Sequence, residues 1–171
     1  MPIPLGDLQR AALRSKPQRM AKSLNEALLR AQATAFLCHS HSDQPLAEGL
    51  EVLLAENGWD LYIDWKDTAM PPKPNKETAE IIKRKIVDRD WFLFLATPNS
   101  TASRWCPWEI GYADSVKPHD KILLIRTREG EAWYGNEYLQ LYREITYSTS
   151  GGLAAFPAGS DSNGISLKHI R

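Results

Sequence analysis

Apolar positions along the chain fall into short continuous blocks separated by segments in which they recur every three or four residues. Thr34–Cys38, Trp91–Ala96 and Lys121–Ile125 are nearly unbroken apolar runs, and Trp59–Asp64 is a fourth block of strand length. Runs this short and this apolar read as strands covered on both faces. Between the first two blocks, Leu46, Ala47, Leu50, Leu53 and Leu54 share one face of a helix that Ser42 or Asp43 opens and Asn57-Gly58 closes. Ala79, Ile82 and Ile86 mark the next helix, with Glu80 and Arg84 as an exposed pair one turn apart. A third helix carries Pro107 in its first turn, where the missing N–H does least harm, and Ser103 is its cap. Strands alternating with helices predict a parallel, doubly wound sheet.

The ends are patterned differently. Residues 1–32 carry Arg10, Arg14, Lys16, Arg19, Lys22 and Arg30 together with Leu24, Leu28 and Leu29. They read as one or two amphipathic helices, an N-terminal helical extension docked on its own domain, which spans residues 33–171. Pro71, Pro72 and Pro74 exclude regular structure from the loop Trp65 to Asn75, and Pro98 to Ser103 reads as a second loop. Glu131 to Arg143 is expected to hold a helix and Glu144 to Tyr147 a last edge strand. The Ser- and Gly-rich C-terminal segment, Ser148 to Gly164, reads as a long loop or tail.

Composition narrows the function classes. With 171 residues, 43% of them hydrophobic, the chain has enough material for one domain with a sizeable core. Lys plus Arg and Asp plus Glu both number 21, so no net field draws it to nucleic acid or an anionic membrane. Two cysteines, Cys38 and Cys106, are too few for a disulfide framework, and no apolar run has the length of a membrane span or a signal-peptide core. The expected location is the cytoplasm.

In a flavodoxin-like sheet, ligands bind beyond the carboxyl ends of the strands, where strand order reverses between the first and third. Here the loop His39 to Asp43 follows the first strand, and the third strand leads into the helix that holds Glu109. On that helix Trp105 lies four residues before Glu109 and Tyr112 three after, with Cys106 and Ala113 flanking it. A carboxylate among bulky apolar groups is poorly solvated and its pKa rises, a property that clusters at functional sites but also arises in packed helices. Cys38, His39 and His41 lack the spacing and further partners of a structural zinc motif, so no metal is expected. Cys106 reads as a small core residue rather than an activated thiolate. No Gly-rich phosphate loop follows any strand, and the acidic residues that a receiver domain needs at the ends of strands one and three are missing.

The runs Phe36-Leu37-Cys38-His39-Ser40-His41-Ser42-Asp43, Leu61-Tyr62-Ile63-Asp64 and Ser103-Arg104-Trp105-Cys106-Pro107-Trp108-Glu109-Ile110 resemble the TIR domain, particularly the bacterial TIR proteins of antiphage systems such as Thoeris. The resemblance covers about Thr34 to Tyr147, and its most specific element is Trp-Cys-x-x-Glu. It implies a flavodoxin-like fold and cleavage of the nicotinamide bond of NAD, which is substrate and not cofactor, with Glu109 as the catalytic carboxylate. By the same match the substrate-contacting residues are Ser40, Ser42, Asp43, Trp65, Trp105 and Tyr112. Trp65 to Asn75 falls where the family has a loop that gates the pocket and mediates self-association. A downstream effector that senses the product is the further partner implied. The usual Pro-Gly of that loop is replaced here by Met70-Pro71-Pro72. Two other classes fit the same residues: a non-enzymatic TIR assembly module, and a nucleoside deoxyribosyltransferase-like N-glycosidase.

Overall fold

A computed structural model of the chain describes residues 1–15, 24–29, 32–71 and 73–170. Lys16, Arg19, Lys22, Arg30 and Pro72, singled out above, lie outside the described residues, as do the side chains of Leu28 and Trp65. The elements run β1 (Ile3–Pro4), α1 (Leu5–Ala12), α2 (Leu24–Leu29), β2 (Ala33–Cys38), α3 (Gln44–Ala55), β3 (Trp59–Tyr62), α4 (Lys76–Asp88), β4 (Trp91–Leu95), α5 (Pro98–Ala102), α6 (Cys106–Val116), β5 (Ile122–Ile125), β6 (Thr127–Glu129), β7 (Ala132–Tyr134), β8 (Arg143–Tyr147), β9 (Leu153–Phe156) and β10 (Ile165–Ser166). A seven-stranded sheet has the order β10-β9-β8-β5-β4-β2-β3. From β3 to β8 it is parallel, and β9 and β10 add antiparallel strands at the far edge. The five parallel strands therefore follow the doubly wound order read from the alternation of elements.

The period-two alternation of a strand sorts the apolar blocks onto two faces. Ala35, Leu37, Leu93, Leu95, Leu123 and Ile125 face one core with Leu50, Leu54 and Trp59. Phe36, Cys38, Phe92, Phe94, Ile122 and Leu124 face the other, with Ile82 and Ile86 of α4 and Cys106, Ile110 and Ala113 of α6. Phe36 stacks between Tyr62 and Phe92, each ring 5.7 Å away. This alternation is what turns Cys38, the last residue of β2, toward α6.

The first residues are part of the same core. Ile3 N–H donates to the Arg126 carbonyl at 2.9 Å, β1 pairs with β6, and Ile3, Leu8 and Ala11 are buried with the α3 face. Helix α1 lies so close to α3 that a Cβ at Gly49 would fall 1.8 Å from the Leu8 carbonyl oxygen. Gly49→Ala must therefore push α1 away. Overpacking of this kind costs about 1–3 kcal/mol. The expected result is a melting temperature lower by roughly 3–10 °C in calorimetry. Unchanged melting would mean that α1 does not dock in solution.

The C-terminal third departs from the sequence expectations. Glu131 to Arg143 holds no α-helix. Thr127 pairs with Tyr134 and Glu129 with Ala132, which leaves a two-residue hairpin turn at Gly130-Glu131 with Gly130 at φ 56°. Glycine in that position is what such a turn requires. A 3-10 turn over Glu137–Leu141 follows. Glu144–Tyr147 is an interior strand, not an edge, because Ser148 to Gly164 folds back: Leu153–Phe156 is fully buried and pairs antiparallel with β8. Gly151, at φ 90°, makes the turn between them. Pro98–Ala102 is a short helix, not a loop, with Thr97 accepting from Ser100 N–H as its cap.

Candidate functional site

Strand order reverses at β2, so the loops after β2 and β4 open on one crevice, as the topology requires. Asp43 joins them. Its carboxylate is buried and accepts hydrogen bonds from the Thr97 hydroxyl and from Asn99 Nδ2 at 2.7 Å. Ser40 caps the 3-10 turn His41–Asp43, its hydroxyl accepting from Ser42 N–H at 3.4 Å, while Ser42 itself is exposed.

Helix α6 starts on the opposite side of the crevice. Ser103 Oγ accepts from the N–H groups of Trp105 and Cys106 at 3.1 and 3.3 Å, so it fills the capping role its position suggests. Pro107 occupies the first turn. Glu109, one turn further on, is only 5% exposed and turns toward the sheet, beside the Cys38 thiol. Burial raises the Glu109 pKa to about 8; the nearby Cys106 and Asp64 act in the same direction, and the Cys38 thiol acts against them. Cys38, fully buried, has its thiol pushed well up by desolvation, and it also approaches the Cys106 carbonyl at 3.7 Å. The Cys106 pKa moves down, chiefly through its hydrogen bond with Cys38.

Next to Glu109 the ends of β2 and β3 contribute His39 and Asp64, with His39 Nε2 3.5 Å from Asp64 Oδ1. Burial lowers the His39 pKa, opposed by the Asp64 charge. Asp64 was assigned no role from the sequence; the signal available was an acidic residue ending the second apolar block.

Trp105 is half-buried and meets Trp108 edge-on at 5.5 Å. With Pro74, Ala79 and Arg104 these two rings line a groove of ≈ 550 Å³ beside the carboxyl end of the 65–75 segment. Arg104 and Trp108 were not among the residues expected there. Tyr112 stacks on Trp108 at 6.3 Å under Lys83 Nζ and does not line that groove. Trp65 belongs to the 3-10 turn Asp64–Lys66. The loop that follows is tethered at its base. Asp67 accepts from Tyr62 Oη and pairs with Lys85 Nζ, both at 2.8 Å, and from Ala69 N–H at 2.9 Å. Burial alone would raise the Asp67 pKa, but these three donors hold it at about 2.

The arrangement thus offers two buried carboxylates at a switch-point crevice, Asp43 held by Thr97 and Asn99 and Glu109 on helix α6, flanked by an aromatic groove and a loop whose base is held by Asp67. No helix among the described residues is long and apolar enough to cross a membrane. The family described as "TIR domain" matches residues 35–150. A protein of Bacillus cereus (strain MSX-D12) named "Probable 3' cyclic ADP-D-ribose synthase ThsB'" is 33% identical over 117 residues, which are 67% of this chain and 61% of that relative. The chain thus spans about three fifths of the relative's length.

Proposed function

This chain belongs to the TIR domain family, and from that premise we propose that it cleaves the nicotinamide–ribose bond of NAD with Glu109 as the catalytic carboxylate. The observation that carries the reading is the burial of Glu109 at the crevice where strand order reverses. The nicotinamide of NAD leaves as a neutral ring from a cationic ground state, so departure needs little acid assistance and builds positive charge on the ribose. A carboxylate fixed in a dry site stabilises that oxocarbenium-like charge, the physics that glycosidases use. Trp105 and Trp108 offer ring faces for the nicotinamide or the adenine. ADP-ribose results if water captures the ribose, and a cyclic ADP-ribose-type signal if a nucleophile of the same molecule does, an adenine-ring nitrogen or a hydroxyl of the other ribose. The relative's printed name favours the cyclic product, and a product that signals to a downstream effector fits a role in antiphage defence.

Glu109 is almost covered in the single chain, so NAD reaches it only when its surroundings move, and the resemblance makes the loop 65–75 the candidate. Self-association through that loop is the event that would hold it open. The expected result is nicotinamide release per mole of protein that rises with protein concentration from nanomolar to micromolar. Constant specific activity, with a monomer throughout, would contradict the assembly step while leaving the chemistry in place. No nicotinamide release even from concentrated protein would return the chain to the non-enzymatic assembly class.

A further inference from the structure

His39 and His41 stand two residues apart after β2, and the parallel pairing of β2 with β3 brings Asp64 beside them. One ring nitrogen from each histidine and one Asp64 oxygen all lie within 4.8 Å of one another. Zinc binds nitrogen and oxygen ligands at about 2.0–2.2 Å in a tetrahedron, which sets its ligands about 3.3–3.6 Å apart. His39 Nε2 and Asp64 Oδ1 already stand at 3.5 Å.

The second requirement is orientation. His39 Nδ1 lies 3.2 Å from the Leu37 carbonyl oxygen, which can only accept, so that nitrogen carries a hydrogen and Nε2 is the nitrogen presented to Asp64. A backbone carbonyl holding the far nitrogen is the arrangement that positions metal-bound imidazoles. His39 is buried and therefore held, whereas His41 is exposed, its ring edge-on to His39 at 6.2 Å, and free to swing the remaining distance by side-chain rotation. Two imidazoles and one carboxylate suit zinc and its late first-row neighbours better than magnesium or calcium.

We infer that His39, His41 and Asp64 form a site for one divalent ion of the zinc class, with the fourth position open to the crevice. The inference does not depend on NAD cleavage. The ion would join the loops after β2 and β3, so occupancy ties the end of β2 to the end of β3.

The test uses the full chain without an affinity tag, stripped by chelator. Zn²⁺ is titrated by calorimetry and Co²⁺ by its visible ligand-field bands. Expected are one saturable site, tetrahedral Co²⁺ bands that Zn²⁺ abolishes, and affinity weakened roughly tenfold or more in both His41→Ala and Asp64→Asn. His41→Ala alters an exposed side chain, so its metal-free melting should match wild type while Zn²⁺ no longer raises it. Absence of saturable binding overturns the site. So does binding that survives both substitutions, which would place the ion on His119 or His169. Thiolate-to-cobalt charge-transfer bands would also overturn it by assigning the metal to Cys38 and Cys106.

Discussion

Glu109→Gln should lower NAD cleavage roughly 10²- to 10³-fold, equivalent to about 3–4 kcal/mol of transition-state stabilisation, while leaving the fold intact. Glutamine keeps the shape and hydrogen-bonding capacity but removes the charge that answers the developing ribose cation. A structural carboxylate would behave in the opposite way, because loss of a needed buried partner lowers melting and leaves per-folded-molecule turnover alone. The sign of the stability change also depends on pH. The folded-state pKa of Glu109 is raised to about 8 from 4.5, so between those values the native protein binds more protons than the unfolded chain. Stability then falls as pH rises through that window, by up to roughly 4 to 5 kcal/mol in total. The Gln variant lacks this loss. Its melting should match wild type near pH 4 to 5 and exceed it increasingly toward pH 9, in paired thermal scans. A variant that melts lower than wild type at pH 9 would contradict the burial of a costly charge.

Activity should follow the opposite course with pH. The chemistry needs the ionised carboxylate, and burial keeps most Glu109 protonated at neutral pH. The ratio kcat/KM should rise close to tenfold per pH unit up to about pH 8 and level off above it. The ring of bound NAD is cationic and favours the carboxylate, so the profile of kcat should break at lower pH than that of kcat/KM. Wild-type protein is therefore most active where the contribution of Glu109 to its stability is lowest. A flat kcat/KM from pH 6 to 9, or one that falls, would assign the limiting ionisation elsewhere.

The parallel part of the fold was legible because β2, β4 and β5 are buried on both faces and their sequences are continuous apolar runs. The helices between them carry their apolar residues at helical spacing, and the order of elements dictates where the crevice lies. Position thus marked Glu109 as a crevice residue, and the resemblance to the TIR domain gave it the catalytic role. The C-terminal sheet was not legible for physical reasons. Leu153-Ala154-Ala155-Phe156 is four residues long, half of it alanine, and set among Ser and Gly, so its strand character comes from pairing with β8 and not from its own pattern. The two residues of β1 have no periodicity at all and are defined by the hydrogen bond to Arg126 and the register with Thr127. The hairpin at Gly130-Glu131 was misread as helix because Ala132 to Leu141 mixes apolar and polar residues at no decisive period. In the site, the loop residues were placed from the sequence but their partners were not. Asp43 spends its carboxylate on Thr97 and Asn99, and Asp64 reaches His39 from a separate strand. Both contacts span more than twenty residues of chain, a distance at which no spacing rule operates.

The central claim is that the Glu109 carboxylate breaks the nicotinamide–ribose bond. It is tested most directly by incubating NAD with equal amounts of folded wild-type and Glu109→Gln protein at pH 9, where the wild-type carboxylate is ionised, and following free nicotinamide by mass analysis. Nicotinamide should accumulate with the wild type, together with ADP-ribose or its cyclised form, and almost none with the variant. Equal nicotinamide from both proteins would contradict that claim.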